Sequence, residues 1–469
     1  MALKPVPLHP AQGTWRGLNS DDPANSLPGY LSAAWNVYHS GPELLRRDGQ
    51  ISAFWISAGA TIVAGTYAEF STGAKIIVQT GDGRFWQASG SMTSGVAMGT
   101  SGFGQPAVFA MIGDVVAIAT ARGTLLGASG TDGVFALSGA PSAEFLTSYK
   151  NRLYATGHMA SADEVKYNAI GATTGLPSPN DWYSTNNAGN RIFSQGEGAK
   201  LVGVFANRDE WYAFKPGRSY RVQGGTPAQQ VTIVDDREQG VYHRSLANVG
   251  RGLVGCNEDG LFSLVDGKVE PLINGYLIDY WKTLNLSAVS GFCGAWVPNL
   301  DQYRLSVVKG GGTAREMLVG VFEVGQPVAW YRWGVETWAV WPVRVSGAQW
   351  AFYRGGSADG RVWRMDSGTL DGSATFAASA ETGLIDDGTP FLDKKYQDAW
   401  VFSRTRGAQV VSATLTVQGE DGRTSSFTNA AFRQISLATG VGDVKRQTMH
   451  LDGAIGWALS LRIDFPNAS

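Results

Sequence analysis

Cysteine is nearly missing from this 469-residue sequence: only Cys256 and Cys293 occur. Two thiols are too few for a disulfide framework or a structural zinc site, so both read as buried free thiols. Charge is also sparse, at 17% of residues with a formal net charge of −2. No run of five or six like charges occurs, which excludes a basic nucleic-acid arm and an acidic tail. The longest apolar runs, such as "VVAIATA" at 115–121, fall far below the ~20 residues of a membrane-spanning helix. The opening "MALKPVPLHPAQGTW" has no apolar core of a secretory signal, so synthesis in the cytoplasm is expected.

Catalytic signatures are scarce too. His9, His39, His158, His243 and His450 are scattered, with no second ligand at metal spacing. There is no His-Glu-x-x-His and no Gly-x-Ser-x-Gly elbow. The densest acidic stretches are "VDDRE" at 234–238 and "IDDGT" at 385–389. Neighbours on a strand point to opposite faces, so these read as solvated turns and not as a glycosidase pair. No catalytic residue, metal site or cofactor is expected. Helical periodicity is confined to 273–285, where Leu277, Tyr280, Trp281 and Leu284 recur at i, i+3, i+4, i+7.

What the sequence has in excess is glycine. Its 61 glycines are nearly twice the usual share of about 7%, without a collagen period. With 43% hydrophobic and 11% aromatic residues, the composition suits many short strands joined by tight turns. The stretch "IIVQTGDGRFWQA" at 76–88 shows the plan: an apolar strand, a glycine turn, a second strand. A phosphate-binding loop would have to open a helix, and Arg84-Phe85-Trp86 reads as strand instead.

Six further stretches repeat the plan, so the hairpins start near 75, 114, 151, 209, 252, 317 and 349. Asp-Gly occurs ten times, in keeping with glycine's access to positive φ and aspartate's local backbone bonds. A four-stranded propeller blade takes ~40–50 residues, so an all-β propeller of six to seven blades is expected. A set of β-sandwiches is the competing architecture. The predicted organisation is an N-terminal arm over 1–50, with a short helical or extended piece at 30–38. A propeller over 51–390 follows, then a C-terminal β segment over 391–469, either a small sandwich or the last blade. The stretch 381–395 reads as a linker.

Two motifs remain. "SADGRVW" at 357–363 comes within one residue of a sialidase-type Asp box, itself a turn motif without a catalytic role. The aromatic cluster at 328–343 contributes Trp330, Trp333, Trp338 and Trp341. Such a cluster serves blade packing or a subunit interface, or else stacks a sugar ring.

Several phrases, taken in series, resemble the tail nozzle proteins (tail tubular protein B-like) of short-tailed bacteriophages. They begin with "GLNSDDPANSLPGYLSAAWNVYHSGPELLRRDG". They continue through "NRLYATGHMASADEVKYNAIG", "DWYS", "LVGVFANRDEWYAFKPGRSYRVQGG" and "GVYHRSLANVGRGLVGCNEDGLFSLVDG". The resemblance covers roughly residues 13–285. It implies a virion structural protein assembled in the host cytoplasm. Several copies, six in that family, would form a ring below the portal and adaptor. That ring extends the DNA channel, closes it before infection and holds tail fibres or spikes. Genomic DNA would pass through it without specific binding, since a wall that neutralised phosphates would grip it. No catalytic residues come with the resemblance. A tail-tip protein binding cell-surface glycan and a propeller glycosidase are the alternatives.

Overall fold

The computed structural model describes residues 16–465 except for 20–29, 41–42, 58, 90–92, 122, 132, 158–161, 170–179, 183–187, 194–198, 208–209, 224–229, 235–239, 251, 266, 274–276, 324–325, 348, 357, 383–393, 405–411, 419–423, 430–443 and 457.

Antiparallel four-stranded units follow one another along the chain. Blade 1 is Ile62–Phe70, Gly73–Thr80, Arg84–Ala88 and Val96–Thr100. Blade 2 is Val108–Ile112, Val115–Ala119, Leu126–Ser129 and Val134–Ala136, and blade 3 is Phe145–Tyr149, Arg152–Thr156, Glu164–Tyr167 and Gly189–Ile192. Blade 4 is Gly203–Asn207, Glu210–Lys215, Arg218–Gln223 and Gln230–Val234. Blade 5 is Ala247–Val249, Gly252–Asn257, Gly260–Val265 and Lys268–Pro271. Blade 6 is Cys293–Val297, Gln302–Val308, Arg315–Glu323 and Gln326–Trp333. Blade 7 takes Val340–Ser346, Gln349–Gly355 and Arg361–Met365 from late in the chain, and its outermost strand, Gln50–Trp55, from before blade 1.

The first strand of blade 7 packs against the first strands of both blade 6 and blade 1, which closes the ring. The protein is therefore a seven-bladed β-propeller, within the six to seven expected. Its hydrophobic cores lie between blades. Ile77, Phe85, Val116 and Ile118 fill the gap between blades 1 and 2. Leu146, Leu153, Ala117 and Ala119 fill the next, and Phe54, Ile62, Val78 and Trp341 seal the closing junction. Each blade thus buries both faces, and its second strand is largely buried: Leu253, Val254 and Cys256 of blade 5 are all at most 2% exposed. A strand covered on both sides loses its polar–apolar alternation.

The arm is extended, not helical. Strand Tyr30–Trp35 runs on into Val37–Ser40 through Asn36, whose φ is +54°. Tyr30–Trp35 lies between the outer strand of blade 6, which it meets in parallel at Arg332, and strand Ala378–Thr382, which it meets antiparallel. Beyond Ala378–Thr382 come Ala458–Phe465, Ser412–Gln418 and Thr424–Asn429. Blade 6, the arm and the C-terminal segment therefore share one sheet. The C-terminal strands do not supply the last blade, because Gln50–Trp55 already completes it. A separate hairpin pairs Lys394–Arg404 with Val444–Gly456. Of the expected linker, Glu381 and Thr382 end a strand, Lys394 and Lys395 begin one, and 383–393 lie outside the described residues.

The helix is shorter than its periodicity predicts. It spans Ile278–Lys282, and a 3-10 turn over Leu286–Gly291 follows. The bonds from Thr283 N to Tyr280 O and from Leu284 N to Trp281 O tighten it at the end. Leu277, Tyr280, Trp281 and Leu284 are all buried, so the apolar stripe itself is correct.

Candidate assembly site

The glycine turn at 80–84 is a backbone device. Thr80 Oγ1 donates to Asp82 Oδ1 at 2.6 Å, and Arg84 N donates to the same oxygen at 3.3 Å. The Thr80 bond, with the nearby Arg84 charge, holds the Asp82 carboxyl below the usual carboxylate range. Gly83 has φ +85°, and a Cβ there would sit 2.6 Å from Phe103 O. Asp359 of the Asp-box-like stretch works alike: its carboxylate accepts from Arg361 N at 3.0 Å and from Trp363 Nε1 at 2.8 Å.

The four cluster tryptophans separate in space. Trp330 is 6% exposed, lies over Gly320 of the paired strand and meets Phe322 edge-on at 6.2 Å. Trp333 is 1% exposed and its Nε1 donates to Val37 O of the arm at 2.9 Å. Trp341 is 3% exposed and covers Gly65 across the junction of blades 7 and 1. Trp338 is half-buried beneath the Arg315 guanidinium, 4.1 Å from its ring centroid. Three of the four rings are inside the fold: Trp330 packs within blade 6, Trp333 holds the arm, and Trp341 fills the junction of blades 7 and 1.

Around Trp333 the arm is clasped. Arg47, its side chain 0% exposed, forks onto Asp371, with Nη1 to Oδ1 at 2.9 Å. Its Nε donates to Asn36 Oδ1 at 2.9 Å, and its guanidinium lies 3.8 Å from the Phe376 ring centroid. Arg46 covers the same ring at 4.1 Å. Asn36 is used at both ends: Oδ1 also accepts from Gly334 N at 2.8 Å, and Nδ2 donates to Ala377 O at 2.7 Å. Gly49 packs so tightly on Leu370 that a Cβ would meet its carbonyl oxygen at 2.2 Å. Arg304, also buried, pairs with Asp366 at 2.9 Å and stacks on Trp333 at 4.6 Å.

A second network ties the helix to blade 6. Glu316 receives Arg332 Nε at 3.1 Å, Lys309 Nζ at 3.0 Å and Tyr280 Oη at 2.5 Å. Burial alone would raise the Glu316 carboxyl, but these donors outweigh it and hold it below the usual range. The Arg332 guanidinium also lies 5.4 Å from the Trp35 ring centroid and 4.7 Å from that of Tyr280.

Sequence reasoning named none of Asp371, Asp366, Phe376 or Glu316. Their partners lie far away along the chain, and Arg46 and Arg47 stand in the sequence only as part of the opening phrase "GLNSDDPANSLPGYLSAAWNVYHSGPELLRRDG". Among the described residues no three His, Cys, Asp or Glu cluster as metal ligands, and no helix is long and apolar enough to cross a membrane. His39 and His243 are buried. His9, His158 and the acidic pairs Asp235–Asp236 and Asp386–Asp387 lie outside the described residues, as does the side chain of His450.

No family model and no curated protein matches the chain. Among solved structures it is similar to the WD40 repeats of RRP9, at 11% identity and a TM-score of 0.45, covering 68% of this chain and 99% of that one. It is similar to BamB from Moraxella catarrhalis at 16% identity and a TM-score of 0.39, covering 68% and 91%. The WD40 β-propeller domain of Doa1 matches at 13% identity and a TM-score of 0.42, covering 67% and 96%.

Proposed function

We propose that this chain is a structural protein of a phage tail, copies of which form a nozzle ring below the portal and adaptor. The observation that carries the reading is where the nozzle-like opening phrase acts. Asn36, Arg46, Arg47 and Gly49 belong to that phrase, and they form the clasp between arm, blade 6 and the 366–377 segment. A buried fork of this kind is costly unless fully paired, and here it joins segments 324 residues apart. Clamping the arm and the C-terminal sheet to a closed propeller suits a part that must transmit load between neighbours. The near-zero net charge suits a channel wall along which DNA slides.

The test is negative-stain microscopy of the purified protein, alone and with an adaptor–portal complex. Six-fold rings, or rings that form on the adaptor, support the nozzle. A protein that stays monomeric in both samples and binds or cleaves cell-surface polysaccharide overturns it.

A further inference from the structure

Arg244 lies in the short turn His243–Ser245 that leads into blade 5. Its guanidinium nevertheless touches three other blades or their entry segments. Nη2 donates to Val63 O of the first strand of blade 1 at 2.9 Å and to Trp338 O, ahead of blade 7, at 3.2 Å. Nη1 donates to Gly291 O, ahead of blade 6, at 3.4 Å. One side chain reaches blades 5, 6, 7 and 1 together only near the axis of the ring. Arg244 is half-buried there.

Arg315 comes to the same place. Its Nη1 donates to the same Gly291 O at 3.2 Å and to Ser306 Oγ at 3.3 Å. Two guanidinium nitrogens that share one carbonyl oxygen are held side by side. Arg315 is 7% exposed, its Nε is buried without a partner, and its Nη2 makes no bond among the described residues. Neither arginine forms an ion pair among the described residues, and Glu336, whose charge is felt at Arg315, bonds neither. The contrast with Arg47, Arg304 and Arg332 is direct, since each of those has a carboxylate. Carbonyl oxygens satisfy donors but supply no counter-charge, and two adjacent cations disfavour each other.

We propose that the propeller binds a small oxyanion of the phosphate or carboxylate class near its axis, between Arg244 and Arg315. The anion supplies the directly bonded counter-charge that neither arginine has among the described residues, and it accepts from N–H groups left unspent by the carbonyls. Guanidinium donors in a fixed fork suit such oxyanions better than they suit chloride. The site belongs to a single chain and stands whether or not rings form.

The test is calorimetric titration of the full-length protein with inorganic phosphate, with acetate, and with chloride at matched ionic strength. The expected result is saturable binding of one phosphate or acetate per chain, and none of chloride. Preference between phosphate and acetate assigns the class. Arg244→Gln should weaken binding by roughly tenfold or more, as loss of a charge-assisted bond predicts. Lys282→Gln, on an exposed surface, should leave it unchanged. Because Arg315→Gln threatens the fold, Arg315→Lys is the second variant, with far-ultraviolet dichroism as the check that each variant is folded. No saturable heat for wild-type protein, or equal binding by wild type and a folded Arg244→Gln, overturns the proposal. If Arg244→Gln does not fold, a wild-type melting temperature that rises without saturating in phosphate overturns it, and a saturable rise supports it.

Discussion

Arg47 and Asp371 meet as a fork on a carboxylate, Nη1 to Oδ1 at 2.9 Å and Nη2 to Oδ2 at 2.5 Å, with the arginine side chain wholly enclosed. Removing one partner strands a buried charge. Asp371→Ala should therefore cost about 3–5 kcal/mol in urea denaturation. The double variant Arg47→Met with Asp371→Ala should cost less than the single one, because no charge is left unpaired. Equal or greater loss in the double variant would contradict this account of the clasp.

Two turn glycines separate conformational strain from steric strain. Gly83 at φ +85° and Gly311 at φ +76° both hold the left-handed region, but only Gly83 has a backbone oxygen where a Cβ would go. Gly311→Ala should cost about 1–2 kcal/mol, the left-handed penalty alone. Gly83→Ala should cost at least about 1 kcal/mol more, since Phe103 O must also move. Guanidinium denaturation of the two variants checks the order.

Acid should loosen the fold before carboxylates titrate. His243, 7% exposed, is held at a pKa of about 4, mainly by burial, against 6.5 in the unfolded chain. The unfolded chain then binds the extra proton between those values, so this contribution is intact above pH 6.5 and falls away towards pH 4. The full loss amounts to at most about 3 kcal/mol. His39, lowered to about 4 by burial, adds to the same window. In a folded His243→Gln protein the stability slope between pH 6.5 and 4 should be roughly halved; an unchanged slope would exclude His243 as its source.

The cysteines should react in order. Cys256 is fully enclosed and burial pushes its thiol up to about 12, so almost no thiolate exists at neutral pH. Cys293 is only partly enclosed. Iodoacetamide should label Cys293 slowly in native protein and Cys256 only after unfolding. Mass spectrometry of the peptides reads this directly, and native labelling of Cys256 first would refute it.

Part of this fold is legible in the sequence. The hairpins beginning near residues 75, 114, 151, 209, 252 and 349 are the second and third strands of blades 1 to 5 and 7. These pairs carry buried apolar residues on either side of a turn, such as Ile76, Ile77 and Val78 or Leu261, Phe262 and Leu264, and these runs stand out. The hairpin near 317 is instead the third and outer pair of blade 6, because the second strand Gln302–Val308 is broken by Gln302, Arg304 and Ser306 and shows no continuous apolar run. Strand Gln50–Trp55 was not legible as a blade member. Ile51 is 45% exposed and Trp55 is 43% exposed while Gln50 is buried, so apolar residues and buried positions do not coincide along the strand, and its partner Arg361–Met365 is remote in sequence. The clasp was half legible: Arg46 and Arg47 stand in the opening phrase, but nothing local tells that Asp371 and Phe376 will meet them. The tryptophan cluster was legible as aromatic but not as four separate places, since strand direction and chain turns decide where each ring goes.

The closing strand also sets a timetable for synthesis. Gln50–Trp55 leaves the ribosome before any blade, yet its partner Arg361–Met365 emerges roughly 300 residues later. At about 5–20 residues per second, that strand waits on the order of 15–60 s with Ile51, Phe54 and Trp55 uncovered. The ring can only be sealed at the end, by a contact of very long range, and such contacts form slowly. During that interval the newborn chain offers a sticky edge to any other chain being made beside it, so yield should depend on how crowded translation is.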